Sequence, residues 1–362
     1  MNAAKIFKLA PARAWRTYLG GKQLDELYNS TESTDGHFPE EWMMSLVSAR
    51  NTGRETFKDE GLSMIAETTP SVSLKSLITT NPVGLLGRNH VARFGSSTGV
   101  LVKLIDAAER LTVQVHPDRS TAKTLFHSDF GKTECWHILG GRSIDGQPPS
   151  IYLGFKPGVT RKQWQYLFEL QDFPGMLDCL HRFEVHKGDT FLIEGGIPHA
   201  IGAGCFLVEI QEPTDYTIRV ERTTPSGFQI ADFMCHQGLG FVKMFDCFNY
   251  EGLTREETKK RWQIAPIILR KEPGGCETEL IGYRNTDFFR MSELKVTDSL
   301  QLNTEAFSGI YVLSGKGRIL ADGTMHPFHK GDQFFLPAHL ETLSIHQASG
   351  DQCHLLHYFG PK

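Results

Sequence analysis

The sequence predicts a mainly β protein containing two copies of one small barrel, and three observations carry that expectation. From Val100 onward the chain is dominated by short runs in which apolar and polar residues alternate, the signal of half-buried strands. Glycine turns punctuate those runs. The motif His186-Lys-Gly-Asp-Thr-Phe-Leu-Ile193 then returns as His329-Lys-Gly-Asp-Gln-Phe-Phe-Leu336, and a recurring motif marks a duplicated unit.

The elements follow in order. Residues 25–95 read as mixed, mainly helical or irregular, interrupted by polar turns at Ser30-Thr-Glu-Ser-Thr-Asp-Gly36, Asn51-Thr-Gly53 and Thr79-Thr-Asn-Pro-Val-Gly84. Leu111, Val113 and Val115 alternate with Thr112, Gln114 and His116, a strand that Pro117 ends. Thr133 to Leu139 is a second strand, closed by Gly140-Gly141. Helical spacing appears at Thr160-Arg-Lys-Gln163, a capping box followed by Trp164, Leu167 and Phe168 on one face. Strands resume from Phe183 to Val220. A second capping box, Thr254-Arg-Glu-Glu257, opens a short charged helix with Glu256–Lys260 and Glu257–Arg261 pairs. The last hundred residues are strand and turn.

Composition excludes several classes. With 40% apolar and 22% charged residues, 362 residues can bury a core and form two domains or one large one. A formal charge of −4 with scattered Lys and Arg offers no footprint for nucleic acid or an anionic membrane. Seven cysteines without a C-x-x-C pair indicate reduced thiols in a cytoplasmic protein. The basic stretch Met1 to Leu24, with Lys5, Lys8, Arg13, Arg16 and Lys22, lacks the apolar core of a signal peptide. No run reaches the ~18 apolar residues of a membrane span.

In a strand, residues i and i+2 share a face. Thr112, Gln114 and His116 therefore point one way, as do Lys132 and Glu134, while His199 follows a Gly-Gly-Ile-Pro turn. Gln114, His116, Glu134 and His199 form a nitrogen and oxygen donor set suited to Zn, Mn, Fe, Co or Ni. Taken singly, each histidine is an ordinary core residue and Glu134 an ion-pair partner of Lys132. Convergence of four donors outweighs that reading. Aligning the two motif copies puts Ser308 at the place of Glu134 and Thr342 at that of His199, so only the first copy is expected to hold a metal. Cys135 and His137 lie on the opposite face, as packing residues.

The segments Leu101 to Asp118, Gly131-Lys-Thr-Glu-Cys-Trp136, Glu194-Gly-Gly-Ile-Pro-His-Ala200 and Val208 to Val220 resemble class I mannose-6-phosphate isomerases. The resemblance is strong over roughly residues 85–222 and weak in the tail. It implies two cupin (jelly-roll) barrels with helical segments, a bicupin architecture. The metal-binding cupin would span residues 1–253 and a degenerate cupin without ligands residues 254–362. It also implies a divalent ion, zinc above all, on Gln114, His116, Glu134 and His199. Lys132, Arg219 and Asp215 match the family's active-site residues.

The implied reaction interconverts mannose 6-phosphate and fructose 6-phosphate through an enediol. Arg219 would stabilise the enediolate, Lys132 would move a proton or orient a hydroxyl, and Asp215 would orient Arg219 or act on a sugar hydroxyl. Thr112 would grip the phosphate, Lys132 would also contact substrate, and Arg142 and Arg222 are candidates for a phosphate clamp. A surface Asp215–Arg219 ion pair is the plainer alternative. The chain departs from the family at Thr217-Ile-Arg-Val-Glu-Arg222, at Gly131 and before residue 85. A metal-dependent oxygenase, a non-catalytic sugar-phosphate-binding cupin and an isomerase of another aldose phosphate are the competing readings. The expected partner is a small sugar phosphate, with the protein a monomer or small homo-oligomer.

Overall fold

The alternating stretches pair into four antiparallel sheets in the computed structural model, which describes residues 6–348 and 350–362. Lys5 of the basic N-terminal stretch lies outside the described residues. The chain is mainly β.

Two sheets face each other across the first core. One has seven strands, in the order Gln263–Ile264, Thr190–Ile193, Glu134–Gly141, Cys205–Gln211, Leu101–Asp106, Glu40–Met43 and Arg13–Ala14. The other has five: Ile218–Arg219, Gln114–Val115, His199–Ile201, Ser150–Phe155 and Leu180–Glu184. Ile105, Trp136 and Ile138 of the first meet Ile151, Leu153 and Phe183 of the second, all buried. A second seven-stranded and a four-stranded sheet, from Ile267–Glu272 onward, share another core of Leu294, Ile310, Val312, Ile319, Phe328 and Ile345.

The two seven-stranded sheets pack against each other. Val102, Leu104, Val208 and Ile210 on one side, and Tyr311, Phe335, Leu356 and Tyr358 on the other, belong to one buried cluster. Cys135 joins that cluster and His137 is buried with Nδ1 2.8 Å from Thr190 Oγ1, so both are packing residues. Two strands cross the expected boundary at residue 253. Phe7–Leu9 pairs with Gln333–Leu336, and Gln263–Ile264 pairs with Thr190–Ile193.

The repeated motif adopts one conformation twice. Asp189 Oδ2 accepts from His186 N at 2.8 Å, and Asp332 Oδ2 accepts from His329 N at 2.9 Å. Gly188 and Gly331, at φ 97° and 89°, occupy the left-handed region that favours glycine. The register agrees as well: Glu134 pairs with Ile193, and Ser308 pairs with Leu336.

The helices follow their caps more closely than their charges. Thr254 and Glu257 form a complete capping box ahead of Arg255–Trp262. Thr160 caps Arg161–Leu170 by accepting from Gln163 N, but the Gln163 side chain points to Cys179 Sγ instead of closing the box. The expected Glu256–Lys260 and Glu257–Arg261 pairs do not form among the described residues. Glu257 is taken by the cap and Arg261 by Glu251 at 2.8 Å and Glu194 at 3.4 Å. Exposed pairs are weak, and better partners displace them. The region 25–95 contains four helices from Lys22 to Phe94 and one strand the sequence did not suggest, Glu40–Met43, buried along its whole length.

Candidate metal centre

Strand pairing builds the site. In the five-stranded sheet, Arg219 pairs with Gln114 and Gln114 pairs with His199, so the three lie in one row across adjacent strands. Glu134 comes from the facing sheet at the start of its strand, and Lys132 lies two residues before it. The turn carrying His199 is close-packed. A Cβ on Gly195 would lie 2.5 Å from Asp118 Cα, and one on Gly131 would lie 2.7 Å from Pro117 O. The departure at Gly131 thus has a steric reason: the backbone after His116 passes too close for a side chain there.

His116, Glu134 and His199 are buried and offer donor atoms all within 4.8 Å of one another. His116 Nε2 lies 3.2 Å from Glu134 Oε2 and 3.2 Å from His199 Nε2, which is 3.5 Å from Glu134 Oε1. A tetrahedral ion with bonds of about 2.0–2.2 Å spaces its donors by roughly 3.3–3.6 Å. The spacing fits. His116 Nδ1–H donates to Tyr216 O at 2.8 Å and His199 Nδ1–H to Ile197 O at 2.8 Å. Those bonds leave a lone pair on each Nε2, and backbone partners of this kind orient metal-binding imidazoles. Burial pushes both imidazoles down, His116 to about 4, so they stay neutral. Glu134 Oε1 is a buried oxygen without a hydrogen-bond donor, which a cation would satisfy.

Gln114 stands beside the three. Its amide end lies 3.3 Å from His199 Nε2, and turning the amide over presents Oε1 to the same point. Lys132 Nζ lies 2.8 Å from His116 Nε2 and contacts Glu134 Oε2. Burial alone would raise the Glu134 carboxyl, but the Lys132 ammonium holds it well below the usual carboxylate range.

A cavity opens beside this cluster. Thr112, Gln114, Lys132, Asp215, Thr217 and Arg219 line it, so each catalytic and substrate-binding candidate from the sequence reaches it. Asp215 does so from a loop, just before the strand that carries Arg219. Nor does it pair with Arg219. Asp215 accepts from Arg16 at 3.3 Å and from Arg50 N at 3.0 Å, while Arg219 Nη1 donates to Met234 O at 2.8 Å.

Both phosphate-clamp candidates lie elsewhere. Arg142 bridges Asp106 at 3.0 Å and Asp35 at 2.6 Å, and Arg222 pairs with Asp232 on the surface. Glu221, part of the departure after Asp215, is buried and holds Arg110 at 2.6 Å, a structural role.

The sequence reading missed much of the remaining lining: Arg16, Tyr18, Glu40, Asn51, Lys103 and Glu209. Lys103 Nζ lies 3.0 Å from Glu209 Oε1, its register partner, and 4.0 Å from Glu40 Oε2. Tyr18 OH and Trp42 Nε1 donate to Glu40 at 2.8 and 2.7 Å. The available signal was a lone charge inside an otherwise apolar run, as in Val102-Lys-Leu-Ile105 and Val208-Glu-Ile210.

Comparison with known proteins shows the family. Residues 57–133 match the catalytic domain of phosphomannose isomerase type I, and residues 280–350 match the mannose-6-phosphate isomerase cupin domain. A probable mannose-6-phosphate isomerase of Bacillus subtilis, GmuF, is 30% identical over 266 residues, 71% of this chain and 76% of that protein. The mannose-6-phosphate isomerase of Streptococcus mutans is 28% identical over 75% of this chain and 78% of its own. In fold, the chain is similar to the crystal structure of mannose 6-phosphate isomerase from Bacillus subtilis. The TM-score is 0.73 at 20% identity, covering 98% of this chain and 99% of that one. A mannose 6-phosphate isomerase bound with zinc and yttrium superposes with a TM-score of 0.71 at 15% identity, over 99% and 100% of the two chains. Family matches at both ends of the chain, and a 30% identical relative covered over three quarters of its length, lead to one conclusion: this chain belongs to the type I mannose-6-phosphate isomerase family.

Proposed function

We propose that this protein is a metal-dependent aldose–ketose isomerase that interconverts mannose 6-phosphate and fructose 6-phosphate through an enediol. One observation carries the reading: Arg219, Gln114 and His199 stand in one row of paired strands, His116 and Glu134 lie within 3.5 Å of His199, and Arg219, Gln114 and Lys132 line the cavity beside them. Gln114, His116, Glu134 and His199 would hold one divalent ion. The zinc-bound relative and the mixed nitrogen and oxygen donors favour zinc. Such an ion supplies Lewis-acid polarisation of the substrate carbonyl, contributing several kcal/mol of charge stabilisation.

The residues of the chain do the rest. Arg219 keeps its charge toward the cavity, where a guanidinium stabilises the developing enediolate oxygen. Lys132, buried at the cavity wall, is placed to exchange a proton with a substrate hydroxyl or to hold that hydroxyl. Asp215 accepts from a sugar hydroxyl, and Thr112 offers a hydroxyl to the phosphate end. Deep burial of the site keeps bulk water from protonating the enediol at random.

The two sheet pairs are read as two cupin barrels, 1–253 with the metal and 254–362 without, tied together by the exchanged strand Phe7–Leu9. The separate cores and the shared turn and register of the repeated motif support that division. All seven cysteines are free, which supports a reducing cytoplasmic setting. No helix among the described residues is long and apolar enough to cross a membrane.

The test is a coupled assay of fructose 6-phosphate formation from mannose 6-phosphate, with and without chelator, on wild type and Arg219→Ala. Turnover should require metal. Arg219→Ala should keep its metal and lose about 10²–10³-fold in kcat, the usual cost of removing an oxyanion donor. Full activity in Arg219→Ala ends the assignment of that residue, and wild type without turnover ends the reading.

A further inference from the structure

Arg16 has no place among the roles assigned above, yet it is the most fully engaged cation in the cavity wall. It comes from the N-terminal segment, whose sequence suggested only scattered basic residues. Its residue is 6% exposed. Nε donates to Glu40 Oε2 at 2.9 Å, Nη2 to Asp215 Oδ1 at 3.3 Å, and Nη1 to Asp215 Oδ2 at 3.5 Å and Asn51 Oδ1 at 3.4 Å. Its guanidinium lies over the Trp42 ring at 4.8 Å. Only a planar fork reaches two carboxylates and an amide at once; an ammonium does not.

The consequence reaches Arg219. Burial would raise the Asp215 carboxyl, yet Arg16 and then Lys103 hold it below its ordinary value. Arg219 makes no ion pair among the described residues, although Asp215 lines the same cavity four positions earlier in the chain. Around this cavity the carboxylates are Glu40, Glu209 and Asp215, and the cations are Arg16, Lys103, Lys132 and Arg219; Lys132 is held by Glu134. Lys103 is taken by Glu209. Without Arg16, the nearest answer to a buried, unpaired Asp215 is Arg219 itself, because a buried charge left alone is strongly destabilising.

We propose that Arg16 is a positioning residue for the reaction: it fixes Asp215 in the cavity wall and so leaves Arg219 free for substrate. The proposal rests on the isomerase reading above. It makes the N-terminal segment part of the reaction site.

The test compares full-length, metal-loaded wild type, Arg16→Met, Arg16→Lys, Asp215→Asn and the Arg16→Met/Asp215→Asn double variant. It measures metal content, kcat, KM and the pH profile of kcat. Arg16→Met should keep its metal and lose about 10²-fold in kcat, as misplacement of reacting groups by about 1 Å does. The acid limb of its kcat profile should move to higher pH. The groups facing Asp215 would then be Lys103, Glu40, Arg219 and the Arg50 backbone N–H, without the counter-charge of Arg16. Arg16→Lys should recover part of the loss. Asp215→Asn should cost less in the Arg16→Met background than in wild type, since the two act as a unit. A purely structural Arg16 would lower thermal stability but leave the acid limb in place and the costs additive, which would overturn the proposal. So would wild-type kcat in Arg16→Met, or in Arg16→Lys if the Met variant does not fold. If wild type binds metal but turns over no substrate, the isomerase reading falls and takes this proposal with it.

Discussion

Residues 186–199 and 329–342 are two versions of one structural phrase, and the contrast between them isolates what makes a site. Each opens on the same Asp-closed turn, enters a strand of four residues and pairs with a neighbour in the same register. At the position of Glu134 the second copy has Ser308, which shares a 2.9 Å hydrogen bond with His357 Nε2. At the position of His199 it has Thr342, whose amide donates to Asp322 at 2.8 Å. Backbone geometry is therefore common to both, and metal chemistry belongs to a few side chains placed on one of them. His116, Glu134 and His199 are the one His, Cys, Asp or Glu group of metal-binding geometry among the described residues.

That contrast can be broken in three ways, starting from the largest effect. Glu134→Gln removes the anionic ligand and leaves its fold intact. Metal analysis should show loss of the ion, and kcat should fall by at least ~10³-fold, the equivalent of several kcal/mol of lost Lewis-acid stabilisation. Retention of both would mean that the first copy does not depend on its ligands.

Next in size is a pH effect in the second copy. Burial pushes His357 down to about 3 from 6.5. Because the folded pKa lies below the unfolded one, the unfolded chain takes up the proton first. Stability should thus be fully present above pH 6.5 and fall as pH drops toward 3, by a few kcal/mol in all. Denaturant titrations across that window, together with the His357 ring signal in NMR, test it. A ring that protonates near its ordinary pH would refute the neutral, metal-free role.

Ser308→Ala is the smallest change. It leaves His357 Nε2 without its partner inside the second core and should cost about 1–3 kcal/mol. Metal content and kcat per folded molecule should stay as in wild type. Loss of metal in Ser308→Ala would show that the copies are coupled where their ligands are not.

How much was legible depends on where the signal sits. Gln114, His116 and Glu134 could be found because alternation tells which way a strand residue points, and the donors stand close together in the chain. His199 came with a turn whose glycine is required by contact with Asp118. The motif copies aligned correctly because strand register preserves spacing. Asp215, Thr217 and Arg219 do share one cavity, but Asp215 stands in a loop before the strand, and its ion-pair partner, Arg16, is remote in sequence. Arg142 and Arg222 were misread because a basic residue in sequence carries no sign of whether an acid, such as Asp106 or Asp232, already holds it. The strand Glu40–Met43 went unseen because two adjacent acids argue for the surface, whereas here Arg16, Tyr18 and Trp42 hold one and Tyr28 the other.

The sequence by itself determined the strand-rich class, the duplicated motif, the four candidate ligands and the asymmetry between the two copies, since all of these are local patterns with a fixed period or spacing. Only the tertiary structure decided which charges share the cavity wall. Arg16, Glu40, Lys103 and the Glu209–Asp215 segment are well separated in the chain, and a buried ion pair is defined by distance in space, which no local pattern records.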